Sequence, residues 1–233
     1  VIRYGCVPYL NALPLIHGIQ PEALRLAPPR DLAWLHADEA LDASLMPVVE
    51  LFERPDLTYV PGIAIASGTR TDSVRLHLDR PLQEVRTVAL DPESRTSNAL
   101  VRVLFARRWR REVRFVEADT PADARLMIGD RALRTNAERW LDLGTEWHAL
   151  TGRPFVYALW LHRRGHPAAE EIGRRLHQAK ADGLGAVEAI AAVEGPRRGI
   201  PAAQARLYLT EALRYDLGPE ELEGMEQFRR WYR

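Results

Sequence analysis

The chain has 233 residues, 46% of them hydrophobic and 27% charged, the proportions of an ordinary globular protein with enough length to bury a core unaided by staples. Its 32 basic and 32 acidic residues cancel, so no overall field holds it on a nucleic acid or an anionic membrane, and any anion it binds is held locally. No apolar run approaches the roughly 18 residues of a membrane span, and the single cysteine, Cys6, excludes an internal disulfide and a cysteine zinc site and fits a reducing cytosol.

Val1 to Val7 reads as a buried strand with no leader-like stretch before it, so a cytoplasmic protein without a signal peptide is expected. Pro8 and Asn11 punctuate, and Leu13 to Ile19 continues with a helical pattern ending at Gly18. Asp31 to Ala40 reads as a helix, Ala43 to Met46 as a strand closed by Pro47, Tyr59 to Ala66 as another, and Ser73 to Leu78 as a further one. Val85 to Leu90 is a strand followed by the turn-rich D-P-E-S-R-T-S (Asp91 to Ser97), and a helix runs from about Asn98 to Arg108.

Val113 to Val116 and Arg125 to Ile128 are the next strands, the second closed by Gly129 and Asp130. Phe155 to His162 is an unusually apolar strand. From Pro167 onward the pattern is helical, with breaks at Gly183, Gly185, Gly195 to Gly199 and Gly218-Pro219. Strands alternating with helices predict an α/β protein with largely parallel sheets. The long helical block after an apolar strand suggests that the chain leaves a first lobe near Leu78, builds a second, and returns near Trp160. Residues 1–78 and 162–233 then form one lobe and 79–161 the other.

Several turns carry groups that could do chemistry. At Ser94 to Ser97, hydroxyls and free backbone N–H groups converge where a strand hands over to a helix, an arrangement that binds anions; alternatively Thr96 or Ser97 caps the helix. Asn11 holds the equivalent place after the first strand, as a cap or a ligand-facing amide. S-G-T-R-T-D-S (Ser67 to Ser73) is a third polar cluster, in which Gly68 allows close backbone approach to a ligand, or it is a surface turn. Asp130 ends a buried strand as a ligand-facing carboxylate, or as a cap or a partner of Arg131 or Arg134.

Other chemistries lose support. His162 and His166 are four apart, but Gly165 and Pro167 break the helix that would align them, so no metal site is expected. Lys180, the only lysine, lies in the polar stretch His177 to Asp182, a poor setting for a desolvated Schiff-base amine. There is no G-x-S-x-G, Walker loop or G-x-G-x-x-G. The run Arg107 to Arg111 reads as the solvated end of a helix, without the aromatics and net positive charge of a nucleic-acid surface. No feature specifies an oligomeric state.

Seven segments, in this order and spacing, resemble a known family: Y-L-N-A-L-P-L (Tyr9 to Leu15), S-L-M-P-V-V-E (Ser44 to Glu50), S-G-T-R-T-D-S-V (Ser67 to Val74), S-R-T-S (Ser94 to Ser97), I-G-D-R-A-L (Ile128 to Leu133), D-L-G (Asp142 to Gly144) and T-G-R-P-F-V-Y-A-L-W (Thr151 to Trp160). Together they are similar to the chorismate dehydratases of the futalosine route to menaquinone. The resemblance runs to about Trp160. It implies the two-lobed fold of type II periplasmic solute-binding proteins, with a ligand cleft between the lobes, and loss of water from chorismate, a dicarboxylate, to give 3-[(1-carboxyvinyl)oxy]benzoate without a cofactor.

On that resemblance, Asn11 and Ser73 are the expected catalytic residues. Leu10, Ser67, Gly68, Ser94, Arg95, Thr96, Ser97 and Asp130 are the expected substrate contacts. Asp72 stands where the family would carry a small or apolar residue, and alternation along a strand is expected to turn it out of the cleft. No histidine falls inside a matched segment, which makes bases scarce. The substrate's own enolpyruvyl carboxylate is the expected proton acceptor, with Asp130 as its competitor. Two rival functions share the fold: the sibling dihydroxynaphthoate synthase, and a non-catalytic solute-binding or sensor protein.

Overall fold

The computed structural model describes residues 1–38 and 40–232; the helix expected over Asp31 to Ala40 takes in Glu39, which lies outside them. The first sheet contains β1 (Tyr4–Cys6), β2 (Leu24–Leu26), β3 (Ala43–Pro47), β4 (Leu57–Ser67) and the returning strand β10 (Phe155–Arg163), in the order β2-β1-β3-β10-β4. The second contains β5 (Val74–Leu78), β6 (Thr87–Ala89), β7 (Arg114–Val116), β8 (Ala124–Ile128) and β9 (Trp140–Asp142), in the order β7-β6-β8-β5-β9.

Both sheets are mixed, which corrects the expectation of largely parallel ones. β1 runs parallel to β2 and β3, and β6 parallel to β7 and β8. β10 is antiparallel to β3 and β4, and β5 to β8 and β9. A parallel neighbour needs a crossover within its own sheet; β5 and β10 arrive from the other lobe and are free of that requirement.

The expected lobe boundaries also shift. Val74–Leu78 pairs in the second sheet, and Phe155–Arg163 lies inside the first, between β3 and β4. The chain therefore crosses at 68–73 and returns over 143–154, so Ser73 is the last residue of a crossing rather than the start of a strand. β10 is apolar and mostly buried, while β5 alternates apolar residues with Arg75 and His77, and neither pattern says which sheet receives the strand.

Nine helices cover the sheets among the described residues: α1 (Pro29–Ala37), α2 (Val48–Glu53), α3 (Arg95–Arg107), α4 (Gly129–Arg134), α5 (Leu143–Thr151), α6 (Ala169–Gly185), α7 (Val187–Arg197), α8 (Ala202–Leu207) and α9 (Pro219–Trp231). After β1 the chain makes a 3-10 turn at Leu10–Leu15, not the α-helical segment expected over Leu13 to Ile19. Pro14 inside it has no N–H for an α-helical ladder. Gly183 does not break α6. A Cβ there would lie 1.9 Å from the Pro14 carbonyl oxygen, so the bare backbone lets α6 lie directly on the turn that carries Asn11.

The helical tail docks on the return crossing through aromatic contacts. Trp147 of α5 meets Phe155, Phe228 and Trp231 edge-on, with ring centroids 5.1, 5.8 and 5.6 Å away, the geometry that ring quadrupoles favour. Further up the tail, Arg214 and Ala66 exchange two backbone hydrogen bonds, at 2.7 and 2.9 Å. This bridge draws the stretch before Arg214 against the end of β4, where the first crossing begins. Lys180 is buried, contrary to its polar sequence context, and its ammonium is committed to the Gly62 carbonyl at 2.8 Å and to Asp216.

Candidate active site

The two lobes enclose a largely apolar cavity. Val7, Leu45, Met46, Ile65 and Leu213 line it from the first lobe, and Val74 and Ile128 from the second. Its polar lining is Tyr9, Asn11, Thr71, Ser73, Glu93, Ser94, Thr96, Ser97 and Tyr157. Among the described lining residues there is no arginine, lysine or histidine. An anion bound here is held by dipoles and hydroxyls.

Asn11 comes from the 3-10 turn and is not its cap: Tyr9 occupies that position and makes no side-chain capping bond. The backbone carbonyl of Asn11 accepts from the Tyr215 hydroxyl at 3.0 Å, which fixes the turn. Its side-chain Oδ1 is buried and has no protein partner among the described residues, a vacancy that a ligand donor would fill.

Ser73 reaches the cavity from the opposite side, at the end of the first crossing. Its Oγ accepts from the Tyr208 hydroxyl at 2.8 Å and has Thr71 Oγ1 at 3.5 Å. The crossing is held by Asp142, whose carboxylate accepts from the backbone N–H of Thr71 (3.1 Å) and Asp72 (2.7 Å) and also caps α5 through Thr145 N–H (2.9 Å). One side chain thus ties the outgoing crossing to the start of the returning one. Burial pushes the Asp142 carboxyl above its usual range against these three hydrogen bonds.

α3 begins at Arg95, three residues earlier than expected, because Ser94 is its cap: Ser94 Oγ accepts from Ser97 N–H at 3.1 Å and bonds Ser97 Oγ at 2.8 Å. Neither Thr96 nor Ser97 is the cap. Thr96 Oγ1 is buried and unpartnered among the described residues, and Thr96 is only 2% exposed. The helix start therefore offers the cavity an unused hydroxyl together with the positive end of its dipole.

Five of the expected contacts stand off the cavity. Leu10 is fully buried in the core, and its backbone N–H donates to Asp130 at 3.0 Å. Asp130 is occupied by that bond and by Arg198 at 3.2 Å, so it joins the lobes rather than facing a ligand; burial nonetheless raises its carboxyl pKa. Ser67 is bonded to the Tyr157 hydroxyl at 3.2 Å. A Cβ on Gly68 would meet the Arg214 guanidinium at 2.7 Å, so this glycine makes room for arginine. Arg95 turns outward to Glu50 and Glu53. Asp72 is outside the cavity lining and sits 3.6 Å from Arg70. Its backbone is left-handed, φ 61°, and not the extended strand whose alternation would turn it out of the cleft.

Tyr9, Glu93, Thr71, Tyr157 and Tyr208 were not expected. Tyr9 and Glu93 each lie beside a residue that was singled out, and their pairing across the cleft, 84 positions apart in sequence, is the signal the sequence does not carry. Tyr208 sits in a one-turn π-helical stretch, Tyr208–Ala212, closed by Leu213 N–H to Tyr208 O at 3.2 Å. Such stretches recur at functional sites.

Compared with known families, residues 2–233 match the model described as menaquinone biosynthesis. The chain belongs to the menaquinone biosynthesis family. Two relatives of this family member are named chorismate dehydratase. The one from Thermus thermophilus is 29% identical, covering 96% of this chain and 92% of the relative, and the one from Campylobacter jejuni is 24% identical, covering 94% and 88%. Among solved structures, a protein from Archaeoglobus fulgidus superposes with a TM-score of 0.76 at 14% identity, covering 99% of this chain and 96% of that one. The periplasmic aliphatic sulphonate-binding protein of Escherichia coli superposes with a TM-score of 0.64 at 18% identity, covering 99% and 86%. These two likenesses show the fold alone, the periplasmic-binding-protein-like arrangement of two α/β lobes.

Proposed function

We propose that this chain is a hydro-lyase that removes water from chorismate to give 3-[(1-carboxyvinyl)oxy]benzoate. The observation that carries the reading is the convergence of Asn11 from one lobe and Ser73 from the other on an apolar cavity that opens at the start of α3. The names of the two relatives support it.

The reaction asks little of a protein. The ring C–H beside the hydroxyl-bearing carbon loses its proton, its electron pair becomes a ring π bond, and the C–O bond to the hydroxyl breaks. Proton and hydroxide leave as water, and aromatisation supplies the driving force. A site for this step must hold two carboxylates, accept one proton and assist one departing hydroxide.

The α3 start, with Thr96 and Ser97, suits one carboxylate without a cation. For the proton, the described lining residues include one carboxylic acid, Glu93, and its Oε2 is engaged by the Tyr9 hydroxyl at 2.7 Å. Asp130, the other protein candidate, is off the cavity. The substrate's enolpyruvyl carboxylate is therefore the acceptor, and the protein's part is to hold it against the C–H. Orientation of that kind lowers a barrier by roughly 7 to 11 kcal/mol.

Among the described residues no helix is long and apolar enough to cross a membrane. The direct test is turnover of chorismate by the parent, Asn11→Ala and Ser73→Ala. Interactions made in the transition state appear in kcat, so each variant should lose about tenfold to a thousandfold in kcat with its melting temperature preserved. Two alanine variants as active as the parent would reject the assignment.

A further inference from the structure

The groups facing the cavity are not independent. The Tyr208 hydroxyl donates to Ser73 Oγ at 2.8 Å. Tyr208 has one hydroxyl hydrogen, and Ser73 takes it. Asn11 Oδ1, on the other side of the cavity lining, is buried without a protein partner among the described residues. Ser73 Oγ, having accepted from Tyr208, must send its own hydrogen elsewhere. Thr71 Oγ1, at 3.5 Å, is at the limit of a bond, so the cavity is the remaining direction.

We infer that Tyr208 is a positioning residue that turns the hydroxyl hydrogen of Ser73 toward the cavity, making Ser73 the hydrogen-bond donor presented to the substrate. The inference rests on the proposed function and adds to it the role in which Ser73 acts and the residue that sets it. Ser73 donates to an oxygen that gains negative charge as the C–O bond breaks or as a carboxylate is held.

The fold builds this arrangement on purpose-made geometry. Tyr208 is 1% exposed, and the chain on its C-terminal side is tied to the β4 end by the Arg214–Ala66 bridge. The π turn inserts an extra residue there, rotating the side chains that follow relative to an unbroken α8. Burial raises the Tyr208 pKa, which keeps the phenol protonated and its donor role fixed across the neutral range.

The test is a double-mutant cycle on chorismate turnover with the parent, Tyr208→Phe, Ser73→Ala and the double variant, each checked by thermal melting. Tyr208→Phe keeps the ring and removes only the hydroxyl. The expected result is a fall in kcat of about tenfold to a hundredfold with KM changed by less than about threefold, and no further loss when the change is made on top of Ser73→Ala. A Tyr208→Phe variant equal to the parent overturns the inference. So does a full, additive loss in the Ser73→Ala background, the mark of a merely structural role. A parent chain that binds chorismate but does not turn it over sinks the proposed function and this inference together, which separates the two failures.

Discussion

The Tyr9 hydroxyl of the first lobe donates to the Glu93 carboxylate of the second at 2.7 Å. Arg95 reaches from α3 to Glu50 and Glu53 on α2, and Arg198 reaches Asp130 at 3.2 Å, so these side-chain pairs also join the lobes around the cavity. Burial first, and the bond to Glu93 second, raise the Tyr9 pKa, keeping the phenol a donor. The exposed Tyr9–Glu93 pair lines the cavity and is placed to act as a latch that opens and reforms in each cycle.

Tyr9→Phe removes this latch and little else. A hydrogen bond of this kind contributes about 0.5 to 1.5 kcal/mol, so chorismate should dissociate roughly three- to tenfold faster in stopped-flow measurements, with KM rising in step. An unchanged dissociation rate would show that the pair does not hold the cleft shut.

Glu93→Gln separates the two candidates for the base. The amide still accepts from Tyr9 but takes up no proton. If the substrate carboxylate is the acceptor, steady-state turnover stays within about tenfold of the parent, less than the loss of a general base costs. Turnover lost by about a thousandfold or more with chorismate affinity intact would make Glu93 the base.

The α3 start yields opposite signatures at neighbouring positions. Ser94→Ala removes the cap and should lower stability by about 1 kcal/mol. Thr96→Ala removes a buried hydroxyl that has no protein partner, so stability should hold or rise, while chorismate binding weakens by about 1.5 to 3 kcal/mol through one lost charge-assisted bond. Calorimetric binding and thermal melts on both variants check this; a Thr96→Ala variant that binds like the parent would remove the helix start from the site.

What the sequence shows and hides divides along local and non-local lines. The strand Phe155–Arg163 was legible from its apolar run, but its place between β3 and β4 was not, since a run buried on both faces carries no mark of which sheet receives it. Asn11, Thr96 and Ser97 are legible as polar residues at strand-to-helix turns, and Ser73 as the end of a polar cluster, all local signatures. Leu10, Ser67, Arg95 and Asp130 lie in the same motifs but stand off the cavity lining, because motif membership says nothing of the direction a side chain takes. Tyr208 was hidden altogether. Its L-Y-L-T context reads as the core face of a helix, and its partner Ser73 lies 135 residues away.

His36 should govern part of the acid sensitivity of the first lobe. Burial, aided by Arg54 and Arg163, pushes its pKa down to about 4, against about 6.5 in the unfolded chain. Between those values the unfolded chain takes up a proton that the folded chain refuses. The stabilising contribution is therefore complete above about pH 6.5 and is lost as the pH falls towards 4, by about 3 kcal/mol at most. Melting temperatures of the parent and His36→Gln measured across that window should converge as the pH drops. Parallel curves would show that His36 does not titrate in this way.

The account stands on one reaction. Chorismate incubated with the purified parent chain and followed by mass spectrometry and ultraviolet absorbance should become lighter by one water and acquire the absorbance of an aromatic ring, and Asn11→Ala and Ser73→Ala should slow that conversion without unfolding. Chorismate that binds the parent chain and is recovered unchanged would contradict the account and leave a solute-binding protein in its place.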